Sequence, residues 1–280
     1  MKTILVPTDF SDRSKDALNF ALEFSQKING MVIIMHVLDF PSSSFNTAGE
    51  MDFSGVESLY QAEFIKGVHR RLDGLKTYAD KSGANVESKI KYGNPYVNIS
   101  EEIAEEHVSY IIMGSNGASG LREVFIGSVA EKVIRHAECP VITIKGPSKI
   151  SNMKSFVFAS DLTEEQDIIA RKAKDIQQLL GLNMHLLKVK TPHNFLSESA
   201  VQVQLKEFAK RNYLEDFTSN SIEADYSDEG IVEFAEKVKA GLILMGTHGR
   251  TGLAHIFGGS RAEDVANESN IPVMTFKIPF

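Results

Sequence analysis

A chain of 280 residues with 42% hydrophobic residues has apolar material for two ordinary cores, and its formal charge of −7, from 30 Lys and Arg against 37 Asp and Glu, includes no basic run. That balance excludes a nucleic-acid binder, which needs a basic face against phosphate. A single cysteine excludes an internal disulfide framework, and the longest apolar runs fall far short of the roughly 20 residues a membrane helix needs.

The N-terminal MKTILVPTDFSD places an acid where a signal peptide would continue its apolar core, so the expectation is a soluble cytoplasmic protein. The eight histidines show no ligand-spaced pattern, and no metal site is expected. In chain order, TILVPT (3–8) reads as a strand. A helix follows with Ala17, Phe20, Ala21, Phe24 and Ile28 on one face, stopped by Asn29-Gly30. MVIIMHV (31–37) is the second strand. The Ser- and Gly-rich 40–58 reads as a long loop, overlapping the start of an amphipathic helix over 56–79. NVESKIKYG (85–93), a helix, YIIMG (110–114), another helix and PVITIK (140–145) complete the unit. Five strands alternating with four helices specify a parallel sheet covered on both faces.

The pattern is then written again. Residues 4–39 read against 156–190 at an offset of 152, with Asp9 over Asp161 and His36 over Lys188, and 110–145 read against 242–277 at an offset of 132 without a gap. The first copy therefore carries 20 extra residues, assigned to the loop over 40–58. GPSKISNM (146–153) marks the join, giving domains 1–147 and 153–280: an α/β fold of two tandem doubly wound units.

Ligands of such sheets sit beyond the carboxyl ends of the strands. Each copy has glycines there: Gly114, Gly117, Gly127 and Ser128, then Gly246, Gly249, Gly259 and Ser260, both G-x2-G-x9-G-S. The final Gly-Ser opens a helix, whose free N–H groups and dipole suit an anion. A structural reading stands beside it: SVAE (128–131) and SRAE (260–263) fit the capping box, in which the serine hydroxyl serves its own helix. Gly120, matched by Gly252, would serve the loop's own turning. No Walker-type or dinucleotide fingerprint occurs.

The strand-one aspartate with the full glycine spacing, in ILVPTDFSDRSKDAL, IIMHVLD, IIMGSNGASGL…IGSVAEKVIRHAECPVITIK and ILMGTHGRTGL…GGSRAEDV…IPVMTF, resembles the universal stress protein family in its tandem form. The resemblance covers both halves except the insertion. It implies a Rossmann-like five-stranded unit and ATP, with Mg²⁺, as ligand. It assigns Asp9 to the adenosine, Pro7 and Val37 to the adenine, Met113 and Gly114 to the ribose, and Gly117, Gly127, Ser128 and the Val129 N–H to the phosphates. In the second copy the matching positions are Asp161, Val189, Met245, Gly246, Gly249, Gly259, Ser260 and Arg261. It also implies that the last strands pair domains edge to edge, hence a homo-oligomer.

The copies differ at the base end: Ala159 stands for Pro7, Lys188 for His36, and DYSDE (225–229) for YGNPY (92–96). His248 and Arg250 make the second phosphate loop richer in cations. No nucleophile, base and orienting group recur together, so the leading expectation is an ATP-binding regulatory module acting on an unnamed protein partner. A slow ATPase or self-phosphorylating protein, and a nucleotide-independent scaffold, stay open beside it. Cys139 reads as a small apolar residue at a strand start, and His69, His107 and His136 as surface positions on helical segments.

Overall fold

The computed structural model describes residues 1–39, 56–115, 126–194, 196–248 and 261–278. Among these residues ten strands and eight α-helices alternate within each half: β1 (Lys2–Pro7), α1 (Asp12–Ile28), β2 (Gly30–Leu38), α2 (Val56–Asp80), β3 (Asn85–Tyr92), α3 (Pro95–Glu105), β4 (Tyr110–Gly114), α4 (Ser128–His136) and β5 (Val141–Ile144). Then come β6 (Ser155–Ala159), α5 (Asp167–Leu180), β7 (Asn183–Lys190), α6 (Glu198–Arg211), β8 (Phe217–Glu223), α7 (Ser227–Lys237), β9 (Leu242–His248), α8 (Arg261–Glu268) and β10 (Val273–Ile278).

Local chemistry explains the boundaries. Ser11 caps α1 by accepting from Ser14 N, and Asn29 ends it in a left-handed conformation at φ 50°, which its short polar side chain tolerates. Gly30 starts β2 where a Cβ would sit 2.9 Å from the Lys2 carbonyl oxygen. The central strands are apolar on both faces. In β1, Ile4 and Val6 join one core and Leu5 the other, as period-two alternation requires. The first core, with Phe24, Phe158 and Phe208, lies under α1, α2, α5 and α6; the second, with Val133, Phe234 and Val265, lies under α3, α4, α7 and α8.

The strands form one sheet in the order β3-β2-β1-β4-β5-β10-β9-β6-β7-β8. Each half is parallel, but β5 and β10 pair antiparallel, Ile142 opposite Met274. The two last-strand edges that the resemblance assigned to pairing therefore meet within one chain, and β3 and β8 are the outer strands of the described sheet. Arg135 on α4 grips Glu263 on α8 through two nitrogens at 2.7 and 2.5 Å. Lys145 reaches the last carbonyls of α8, with 2.7 Å to Asn267 O, and Lys277 pairs with Glu138 just past α4 at 2.5 Å. Because the halves run in opposite directions, their carboxyl edges lie on opposite sides of the sheet.

The join at 146–153 is packed against the first half. Residues Ile150–Asn152 form a 3-10 turn, and Ile150 is buried because an aliphatic side chain there finds the core under α1. No helix among the described residues is long and apolar enough to cross a membrane.

Candidate functional site at the carboxyl edges

β1 and β6 end in the same four-residue device, Thr8-Asp9-Phe10-Ser11 and Ser160-Asp161-Leu162-Thr163. In the first, Thr8 Oγ1 accepts from Phe10 N at 3.1 Å, while Asp9 Oδ1 accepts from Ser11 N at 3.0 Å and Ser11 Oγ at 2.6 Å. In the second, Ser160 Oγ accepts from Leu162 N at 3.0 Å, and Asp161 Oδ1 from Thr163 N at 3.1 Å and Thr163 Oγ1 at 2.8 Å. Side-chain bonds two residues ahead compete with regular structure and fold the chain into a tight turn. They hold Phe10 and Leu162 at φ 63° and 68°, a conformation that costs about 1 kcal/mol or more for a large side chain. Strain repeated at equivalent positions marks a turn whose shape matters.

Around this turn the first half assembles most of its expected residues. Pro7 ends β1, Val37 lies half-buried in β2, and Met113 and Gly114 end β4. The chain leaves β4 at Ser115 and returns at Gly127, whose N–H donates to Ser115 O at 2.8 Å, so the intervening loop is closed at its neck. Gly117 lies outside the described residues.

Helix α4 overturns the capping-box reading. Its N-cap is Gly127, which makes no side-chain cap bond, and Ser128 is the first helical residue, exposed, followed by half-buried Val129. Glu131 turns toward Arg135 Nη2 at 3.2 Å. A capping serine must sit outside the helix in extended backbone; here glycine occupies that place. Gly127, having no side chain, gives the N-terminal amides of α4 no side-chain cap. Gly114 has a separate reason to be glycine: a Cβ would meet Arg13 backbone at 3.2 Å where α1 crosses β4. Gly246 is equally tight, against Ile278, Gln166 and Ile169.

The family model described as the Universal stress protein family matches residues 1–145 and 153–277. The chain belongs to the universal stress protein family. Two universal stress proteins of Methanocaldococcus jannaschii are each 30% identical to it, one over 53% of this chain and 84% of its own length, the other over 51% and 94%. Among solved structures, a universal stress protein of Archaeoglobus fulgidus shares the fold across 99% of this chain and 98% of its own, with a TM-score of 0.76 at 22% identity.

Within this universal stress protein the halves part company where the first two strands end. In the first, His36 Nδ1 meets Thr8 O at 2.7 Å, and its ring lies 4.4 Å from Phe10, which in turn lies under the Arg71 guanidinium at 4.3 Å. Burial lowers the imidazole pKa, with the Arg71 charge adding to it, against the raising effects of the Thr8 carbonyl and Asp9. In the second half Lys188 replaces the imidazole and donates to Asp161 O at 2.7 Å. Val189, the counterpart of Val37, is buried beneath α7: a Cβ on Gly230 would come 2.7 Å from Val189 Cγ1 and 2.9 Å from Ala224. Met245 and Gly246 lie in β9 as Met113 and Gly114 lie in β4. Gly249, Arg250, Gly259 and Ser260 lie outside the described residues, as do the side chains of His248 and of Arg261, the first residue of α8.

Sequence reasoning missed Thr8, Ser11, Phe10 and Arg71. The first two had a readable signal, since a hydroxyl residue on either side of an aspartate recurs in TDFS and SDLT. Arg71 had none, because α2 reaches the turn only in three dimensions. His107 lies in a turn after α3, at φ 46°, and not on a helix. Cys139 is buried as expected, which pushes its thiol up to about 12 and makes it inert.

Proposed function

We propose that this protein is a cytoplasmic stress-response regulator that binds an adenine nucleotide, ATP with Mg²⁺, at the carboxyl edge of each of two domains, 1–147 and 153–280. The observation that carries the reading is the convergence at the first edge: a strained turn fixes the Asp9 carboxylate on one side, and an α4 N-terminus whose cap is Gly127, bonded to Ser115 O at the end of β4, lies on the other. A carboxylate suits ribose hydroxyls or an adenine amine, and a free helix N-terminus suits phosphate. Pro7, Val37 and Met113 supply the apolar walls; Gly127, Ser128 and the Val129 N–H face the phosphates.

The second edge keeps the turn at Asp161 but has Val189 under α7 and Lys188 across the strand end. The first site is therefore the tighter of the two. Nucleotide occupancy would order the glycine loop and change the surface offered to a protein partner or to a second copy of the chain.

Titration calorimetry with ATP and Mg²⁺ on the purified chain tests the reading. Saturable heat with wild type, lost in Gly127→Val while the far-ultraviolet circular dichroism is unchanged, supports it. No heat with wild type, and no nucleotide carried through purification by mass spectrometry, would sink it.

A further inference from the structure

Arg13 stands in the first turn of α1, directly against the end of β4. A Cβ on Gly114 would lie 3.1 Å from Arg13 Cβ and 3.3 Å from its carbonyl oxygen. Gly114 leads into Ser115, whose carbonyl accepts from Gly127, the N-cap of α4, at 2.8 Å. Arg13 therefore touches the point where the chain leaves β4 and returns to open α4.

Its guanidinium is not used by the fold. Arg13 Nη1 is buried and has no hydrogen-bond partner among the described residues. Lys145, just past β5, shows where the charge falls: burial lowers its pKa, the Arg13 charge lowers it further, and Glu268 acts the other way. Asp16, one turn on in α1, feels Arg13 as well, yet burial and then Asp12 raise its carboxyl. Two cations thus share the carboxyl edge of β4 and β5. Lys145 is engaged, donating to Asn267 O at 2.7 Å, and Arg13 Nη1 is not. A buried charged donor without an acceptor is costly, and a phosphate oxygen is the acceptor that matches a guanidinium in charge and geometry.

The internal repeat supplies the contrast. At the offset of 152, Arg13 corresponds to Glu165. The side chain lying against Gly246 is Gln166, only 5% exposed, with Oε1 3.1 Å from the place of a Cβ and without a hydrogen-bond partner among the described residues. Lys277, the counterpart of Lys145, pairs with Glu138 at 2.5 Å. One edge thus carries a cation with an orphaned donor where the other carries an acid beside an orphaned acceptor. A phosphate oxygen is attracted by the first arrangement and repelled by the second. Resting on the nucleotide reading, we propose that Arg13 is the specificity-determining residue for the phosphate tail: it makes the first site select a nucleoside triphosphate over the monophosphate, a preference the second site lacks because Glu165 stands in that place.

The test is the ratio of calorimetric affinities for ATP with Mg²⁺ and for AMP at the tighter site. Wild type should favour ATP about tenfold or more. Arg13→Met should bring the two within about threefold by weakening ATP, with AMP changed less than about twofold. Arg13→Lys, which keeps the charge and loses the planar fork, should retain part of the preference. The melting temperature without nucleotide separates this role from packing, since removing an unpaired buried charge should leave it unchanged or raise it. At the weaker site, Glu165→Arg should strengthen ATP several-fold and leave AMP unchanged. Equal weakening of ATP and AMP by Arg13→Met, a lowered melting temperature with the ratio unchanged, or no gain from Glu165→Arg overturns the proposal and leaves the nucleotide reading intact. No heat with either nucleotide in wild type overturns both.

Discussion

The two halves share a fold, a turn at the end of the first strand and a pair of constrained glycines, yet they differ in what lies over the second strand. Val37 is half-buried in the first half, where α3 carries Asn98 with its amide on the Tyr92 and Asn94 carbonyls. In the second, α7 carries Gly230 at the corresponding position, and the missing side chain lets the helix settle onto Val189. A glycine usually read as flexibility here closes space. The comparison teaches that a repeated motif fixes the turn and the strand ends, while the room beside them depends on the residue that the helix packed above presents, Asn98 on α3 or Gly230 on α7.

The largest effect expected from breaking this comparison is at the helix crossings. Gly114→Ala drives a Cβ against the Arg13 backbone and should cost roughly 2–3 kcal/mol, whereas Gly246→Ala meets only side-chain ends, which can shift, and should cost about 1 kcal/mol; urea denaturation of the two variants measures the difference. Equal costs would mean that the two crossings yield alike. Next comes the tie between the halves. Arg135→Ala leaves Glu263, only 8% exposed in its side chain, without its two-nitrogen partner, and should lower stability by roughly 2 kcal/mol with m unchanged if the halves still unfold together. Two resolved transitions in that variant would show that this pair couples them.

The two proposed nucleotide sites should respond unequally. Asp9→Ala should weaken ATP at least about tenfold, close to 1.4 kcal/mol, and Asp161→Ala less than about twofold in the apparent affinity of the tighter site, both by calorimetry. The reverse order would place the main site in the second half. The smallest effect is the share of the pH dependence that His36 contributes in the first half, beside that of His185 in β7, whose pKa burial lowers too. The folded-state pKa of His36 is lowered, so the native state resists the proton that the unfolded chain accepts. Stability is then fully present above about pH 6.5 and declines as pH falls through and below that value. His36→Gln should flatten the melting temperature between about pH 5 and pH 7, and an unchanged slope would remove this role.

Much of the fold could be read because its signals are local. Asn29-Gly30 ended α1 where expected, and the five runs read as strands in the first half became β1 to β5. What could not be read lay in contacts between distant segments. SVAE satisfies a capping box as a string, but the neck bond from Gly127 N to Ser115 O fixes glycine as the cap and puts the serine inside the helix. GPSKISNM has the composition of a tether, yet Ile150 finds apolar surface built by α1. At the site, Asp9 and the ends of β1 and β4 were legible from the repeat. The cover supplied by Gly230 and the Arg71 contact were not, since both depend on how a helix packs over the strand ends.

The antiparallel seam has a consequence for biosynthesis. β5 is complete at residue 144, but the strand that satisfies its outer backbone groups, β10, spans Val273–Ile278. On the ribosome the first half therefore folds with a bare apolar edge while more than a hundred further residues are made, at about 5–20 residues per second, and during those seconds a neighbouring nascent chain offers the same edge. Correct pairing is a race between a strand still to be translated and an identical strand already present. Slowing elongation through the second half should raise the yield of swapped or aggregated chains without altering a single contact in the finished molecule.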